Sequence, residues 1–206
     1  MRIYFVRHGE SQANLLRVIS NRDVQHGLTG RGHQQAEDLA QRLASIPITR
    51  IFSSPVLRAV ETSHILAQRL QIDYEITPAL REFDCGIMEG RADKTAWQAW
   101  REIIEAWQEP HNWDQRIAGG ESFNDLRARF EPFMQGLISA YRETTAHIIC
   151  VGHGGLYAMM LPFVIRGLRT DEFKGMAHTE WISAEWREEG LSAEHRKEHG
   201  SLRLHE

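Results

Sequence analysis

Arg2-Ile3-Tyr4-Phe5-Val6-Arg7-His8-Gly9-Glu10 decides the fold class. Ile3 to Val6 are β-branched or aromatic without a break, as in a strand buried on both faces. The run stops at a cation, an imidazole and a glycine. The same pattern returns in His147-Ile148-Ile149-Cys150-Val151-Gly152-His153-Gly154-Gly155. Between the two lie alternating strand and helix signals. Thr29 reads as an N-cap, and Ala36, Leu39, Ala40 and Leu43 follow at helical spacing, which predicts a helix over 30–45. Residues 50–53 read as a strand. Ser54-Pro55 reads as an N-cap with Pro at the first helical position, opening a second helix through Leu70. Residues 72–76 read as a third strand. The order β, α, β, α, β predicts a parallel sheet covered by helices on both faces.

Further along, 92–108 reads as helix and 109–121 as irregular. Ser122 and Asp125 form a capping pair for a long helix that Pro132 should kink. Residues 147–151 read as the fourth strand, 156–166 as an apolar helix and 180–187 as a fifth strand. The charged tail, 188–206, receives no assignment. One domain over 1–206 is expected, with a helical insertion or lid at about 83–120.

Composition narrows the function classes. The chain has 206 residues, 42% hydrophobic and 25% charged, which is ordinary for a globular protein. Against 24 Lys and Arg stand 28 Asp and Glu, a net charge of -4 that disfavours nucleic-acid binding. No apolar run approaches the ~18 residues a membrane span needs, and no signal peptide is visible at the N-terminus. The two cysteines, Cys85 and Cys150, suggest neither a disulfide framework nor a metal pair, so a reducing cytoplasm is the expected location.

In an open parallel sheet, ligands bind beyond the carboxyl ends of the strands. His8 and His153 stand at two such ends, with Arg7 beside one of them. Ser53-Ser54-Pro55-x-x-Arg58 adds an arginine on the first turn of a helix, where anions are already favoured. Two arginines and two histidines around one point, in an acidic chain, suit a phosphoryl group. A neutral imidazole is a competent nucleophile, and Glu82, after the third strand, is placed to protonate a leaving oxygen.

These residues resemble the histidine phosphatase superfamily, which includes the cofactor-dependent phosphoglycerate mutases. The resemblance runs over about 2–165: Arg7-His8-Gly9-Glu10-Ser11 with Asn14; Leu28-Thr29-x-x-Gly32; Ser53-Ser54-Pro55-x-x-Arg58-Ala59-x-x-Thr62; Leu80-Arg81-Glu82 with Gly86 and Glu89-Gly90; Gly119-Gly120-Glu121-Ser122; and Gly152-His153-Gly154-Gly155. It implies a three-layer α/β/α sandwich with a mostly parallel mixed sheet of about six strands. It implies His8 as the nucleophile that becomes phosphohistidine, Arg7, Arg58 and His153 as phosphate ligands, and Glu82 as acid and then base. Asn14 becomes a secondary contact near the phosphate. No metal or cofactor is implied. Several stretches depart from the mutases. Ile19-Ser20-Asn21-Arg22-Asp23 stands for a Phe-Thr-Gly-Trp-like run, Phe83-Asp84-Cys85 for Arg-His-Tyr, and Gly155 for Asn. Glu109 to Gln115 lacks the mutases' paired arginines, with only Arg116 following.

A phosphomonoester hydrolase acting on a small phosphorylated metabolite is therefore expected. The alternatives are a phosphoglycerate mutase, a phosphoprotein phosphatase and a silent relative that only binds phosphorylated ligands. Trp97, Trp100, Trp107 and Trp113 could either wall the leaving-group side or anchor the insertion to the core. His178 stands where the family usually has Asn and could approach the site. His195 and His199, four apart, would suit a metal on a helix but lie in a run that reads as solvated surface.

Overall fold

The protein is described by a computed structural model covering residues 1–22, 25–169, 175–188 and 190–196. Its strands are β1 Arg2–Arg7, β2 Ile48–Ser53, β3 Tyr74–Ile76, β4 His147–Gly152, β5 Ile165–Arg166, β6 Trp181–Arg187 and β7 Gly190–Arg196. They form one sheet in the order β3-β2-β4-β1-β6-β7-β5. β1, β2, β3 and β4 run parallel, β6 lies antiparallel between β1 and β7, and β5 runs parallel to β7. The helices are α1 Gln12–Leu16, α2 Gly30–Leu43, α3 Leu57–Leu70, α4 Lys94–Ala106, α5 Phe123–Tyr141 and α6 Gly154–Val164.

Alternation along the central strands builds the three layers. Tyr4, Val6, Ile51, Ile149 and Val151 face α2 and α3, meeting Leu39, Leu43, Ala59 and Leu66. Ile3, Phe5, Phe52, Ile148 and Cys150 face the other way, onto Phe130, Met134, Leu156 and Met160 of α5 and α6. Burial on both faces is why these strands carry unbroken apolar runs. The expected α/β/α sandwich with a mostly parallel mixed sheet is the architecture observed.

Most boundaries agree to within a few residues, and the caps are informative. Thr29 Oγ1 accepts from Gly32 N at 2.9 Å, and Ser122 and Asp125 form a reciprocal capping box. Ser54 does not cap α3: Val56 holds that position without a side-chain bond. The Ser54 hydroxyl serves His153 instead. α5 runs on through Pro132 to Tyr141. The apolar helix stops at Val164, two residues earlier than expected, because Ile165-Arg166 pair with β7. The unassigned tail supplies β7, so the described residues form a sheet of seven strands where about six were expected. His195 lies in that strand and not on a helix. His199 lies outside the described residues.

The insertion is held by its tryptophans. Trp107 is 3% exposed, packs on Phe83 and Phe123, and donates Nε1–H to Gln115 O at 2.9 Å. Trp97 donates to Arg17 O at 2.8 Å and Trp113 to Trp107 O at 3.1 Å. All four pack against the same apolar cluster as β1 and β4, so they anchor the segment.

Candidate active site

Three strand ends meet at one point. Arg7 of β1 is in register with Gly152 of β4, and His8 N–H donates to Gly152 O at 3.1 Å. Ser54, just past β2, donates its N–H to Val151 O at 2.9 Å. Close packing of two loops fixes the turn after β1. A Cβ on Gly9 would come within 2.6 Å of Gly32 O, and one on Gly32 within 2.0 Å of Glu10 O. Gly9 N–H also donates to Thr62 Oγ1 at 3.1 Å, and that hydroxyl donates to Arg58 O at 2.7 Å. Thr62 thus ties the turn that carries His8 to the helix that carries Arg58.

His8, Arg58 and His153 are buried together, with the two imidazole centroids 5.1 Å apart. His8 Nδ1–H donates to Gly9 O at 2.6 Å, which leaves the lone pair on Nε2. Arg58 donates Nε–H to that nitrogen at 3.0 Å. Its Nη1 donates to Ser20 O at 2.6 Å, and its Nη2 to Asn21 Oδ1 and His153 Nδ1, both at 3.3 Å. A guanidinium only donates, so His153 Nδ1 is an acceptor and Nε2–H donates to Ser54 Oγ at 2.7 Å. Arg7 donates Nη1–H to Met176 O. Its Nε is buried and has no hydrogen-bond partner among the described residues, a donor left for an anionic oxygen.

Glu82 sits on the loop after β3. Gly155 N–H donates to Oε2 at 2.9 Å and Phe83 N–H to Oε1 at 3.1 Å. A Cβ on Gly155 would stand 2.8 Å from Oε1, so glycine makes room for this carboxyl. Arg129 clamps the loop from behind, donating to Ala79 O at 2.9 Å and Glu82 O at 3.4 Å while paired with Glu121 at 2.9 Å. Asn14, in α1, is exposed at the rim. Its Oδ1 accepts from Ser11 N, Ser11 Oγ and His178 Nε2.

Electrostatics follow from this burial. Desolvation, then the charges of Arg58, His153 and Arg7, hold His8 neutral well below the ordinary histidine range. Burial, then Arg58, does the same to His153. Glu82 moves the opposite way: burial outweighs the backbone donors Gly155, Phe83 and Leu156 and the charge of Arg58, and raises its carboxyl above the usual carboxylate range. An imidazole whose pKa is lowered beside a carboxyl whose pKa is raised is the pairing that nucleophilic attack with acid assistance needs. Burial pushes the Cys85 and Cys150 thiols up, away from thiolate chemistry.

The structure therefore brings together Arg7, His8, Arg58, His153 and Glu82, and sets Asn14 and His178 at the rim. Asn21 has no counterpart among the sequence-derived candidates. It is buried, accepts from Arg58, and donates Nδ2–H to Phe83 O at 3.1 Å. Nothing periodic marks it, because it lies in a loop. Thr62 was legible in principle: it is four residues past Arg58, on the same helix face.

The model of the histidine phosphatase superfamily (branch 1) matches residues 3–198. The chain belongs to this superfamily. A "probable phosphoglycerate mutase GpmB" of Proteus mirabilis is 32% identical over 80% of this chain and 75% of its own length. Its Salmonella choleraesuis namesake is 36% identical over 63% of this chain and 59% of its own. Among solved structures, the alpha-ribazole phosphatase of Shigella flexneri is 26% identical with a TM-score of 0.77, covering 94% of this chain and 95% of that one. A mycobacterial glucosyl-3-phosphoglycerate phosphatase, 24% identical with a TM-score of 0.75 and covering 89% of each chain, shares the fold. Histidine phosphatase superfamily membership makes the chain a relative of phosphatases and mutases alike.

Proposed function

We propose that this histidine phosphatase superfamily member is a phosphomonoester hydrolase that works through a phosphohistidine at His8 on small phosphorylated metabolites. The observation that carries the proposal is the His8 tautomer: Nδ1–H is committed to Gly9 O, and the Nε2 lone pair lies among cations. In the first step Nε2 attacks phosphorus, the bond to the ester oxygen breaks, and the Glu82 carboxyl gives its proton to that oxygen. In the second, the Glu82 carboxylate takes a proton from water. The water oxygen bonds to phosphorus, the N–P bond breaks, and inorganic phosphate leaves. Arg7, Arg58 and His153 hold the equatorial oxygens, where charge gathers in the transition state.

Phosphoglycerate mutase is the second reading, favoured by the names of the curated relatives. Against it, the insertion offers Arg116 where mutases have paired arginines, and Arg116 is engaged by Asp125 at 2.8 Å. The alpha-ribazole phosphatase likeness supports hydrolysis. Two buried free thiols fit a reducing compartment, and no described helix is long and apolar enough to cross a membrane. The test is a screen of phosphorylated metabolites for released phosphate, run on wild type and His8→Ala, with rapid-quench trapping of the acid-labile adduct. Release by wild type with the adduct on His8 supports hydrolysis. Primer-dependent isomerisation without release supports the mutase, and no adduct overturns both.

A further inference from the structure

The loop before β6 reaches the site mouth in a conformation that needs a reason. Thr179 is β-branched yet has φ 56°, in the left-handed region such residues avoid. Several bonds impose it. Thr179 N–H donates to Arg7 O at 3.0 Å, its hydroxyl donates to His178 O at 2.7 Å, and Arg42 donates to Thr179 O at 3.2 Å. Three residues earlier, Met176 O accepts from Arg7 Nη1. The arginine next to the proposed nucleophile thus holds both ends of the four-residue loop 176–179, and the left-handed turn delivers His178, which lies between them beside Ala177.

His178 lands over the site. Its ring centroid is 5.9 Å from that of His8, and its Nε2–H donates to Asn14 Oδ1 at 3.1 Å. The identity of that oxygen is settled by its other donor, the Ser11 backbone N–H at 3.0 Å. Ser11 Oγ donates to it as well, at 2.8 Å. Three donors converge on Oδ1, so the Asn14 carboxamide cannot flip without losing all three. Its Nδ2 is left with no hydrogen bond among the described residues, a pair of N–H donors at the rim.

We propose that His178 is a positioning residue, which locks the Asn14 carboxamide so that Nδ2 is offered to an oxygen of the phosphorylated substrate. The inference rests on the phosphohistidine reading and adds a residue to it. His178 acts through Asn14: the imidazole supplies the third donor that a lone capping box lacks. The capping box orients the asparagine from its own helix, and His178 orients it from across the site.

A double-mutant cycle tests this, with inorganic phosphate as inhibitor and p-nitrophenyl phosphate as substrate. Losing one neutral hydrogen bond corresponds to about three- to tenfold. His178→Ala and Asn14→Ala should each lower kcat/KM and raise the inhibition constant of phosphate by about that factor. The double variant should be no worse than the weaker single variant. His178→Gln keeps a side-chain N–H donor and should recover most of the loss, which a space-filling role would not require. Multiplying effects in the double variant would overturn the proposal, as would an unchanged phosphate constant in His178→Ala. Trapping of the adduct on His8 in wild type is scored in parallel. Its absence sinks the underlying mechanism, whereas its presence with multiplying effects sinks only the role of His178.

Discussion

His8 and His153 hang from the ends of adjacent central strands, whereas Glu82 sits in a loop between a three-residue strand and the insertion. The first pair is immobilised by the sheet itself: neighbouring strands fix the backbone, and Arg58 spans both rings. Glu82 owes its position to borrowed contacts, with donors from Gly155 and Phe83 and a clamp from Arg129. The side proposed to hold the phosphoryl group is thus rigid and generic. The proposed leaving-group side is assembled from segments that can vary without disturbing the sheet. Within one site, chemistry and specificity are separated by the kind of backbone that carries them.

Substitutions on each side should therefore fail differently. His8→Ala removes the attacking atom and should cost at least about a thousandfold in turnover, since losing a nucleophile is worth several orders of magnitude. Steady-state phosphate release checks it, and retention of more than about one percent would place the nucleophile elsewhere. Glu82→Gln should slow an alkyl phosphate about a hundredfold and p-nitrophenyl phosphate much less, because nitrophenolate leaves without a proton. Equal slowing of both substrates would remove the acid from Glu82. Gly155→Ala should cost about tenfold, with the same leaving-group bias, since the new methyl would displace the carboxyl it now accommodates. Unchanged kinetics would mean the Glu82 loop is looser than its hydrogen bonds indicate.

Two effects concern stability more than rate. Trp107→Ala empties a site packed by Phe83 and Phe123 and should cost about 3 kcal/mol, read from urea midpoints, while turnover at 25 °C stays within about threefold. A larger fall in rate would make the insertion part of the chemistry. The buried imidazoles set the last expectation. The His8 and His153 pKa values are lowered in the folded state, so below about pH 6.5 the unfolded chain takes up protons that the native one refuses. Stability is held above that pH and lost as pH falls, by up to about 1.4 kcal/mol per unit for each imidazole. Glu82, raised, contributes with the opposite sign but for one proton only. His153→Ala should flatten the acid-side slope, and an unchanged slope would mean that this imidazole does not hold off its proton.

The phosphoryl side was legible in the sequence because strand ends advertise themselves. An apolar run that breaks into Arg7-His8-Gly9 or Gly152-His153-Gly154 says both where the strand stops and what it presents. Arg58 was legible from its place in the first turn of a helix. Ser54 was misread because Ser before Pro is a cap pattern, and only the neighbouring strand end reveals that its hydroxyl faces His153. Asn21 and the Asn14–His178 pair were beyond reach for a related reason. Each is a contact between segments 62 or more residues apart, at least one of them a loop, and no periodicity encodes such a meeting. β7 went unassigned because Glu194 to Arg196 look solvated, while Leu191 carries the apolar signal almost alone.

The bond from Arg58 Nε to His8 Nε2 has a consequence for selectivity. In the resting protein the reactive electron pair is sheathed by a cation. Uncharged electrophiles of similar size gain nothing by approaching, since they cannot compete for the guanidinium. Under the proposed mechanism an anion can: by drawing Arg58 onto its own oxygens it would unsheathe the nitrogen as phosphorus arrives. On that reading the arginine would act as a charge-operated safety catch, admitting the group that is to be transferred and guarding the imidazole from adventitious modification.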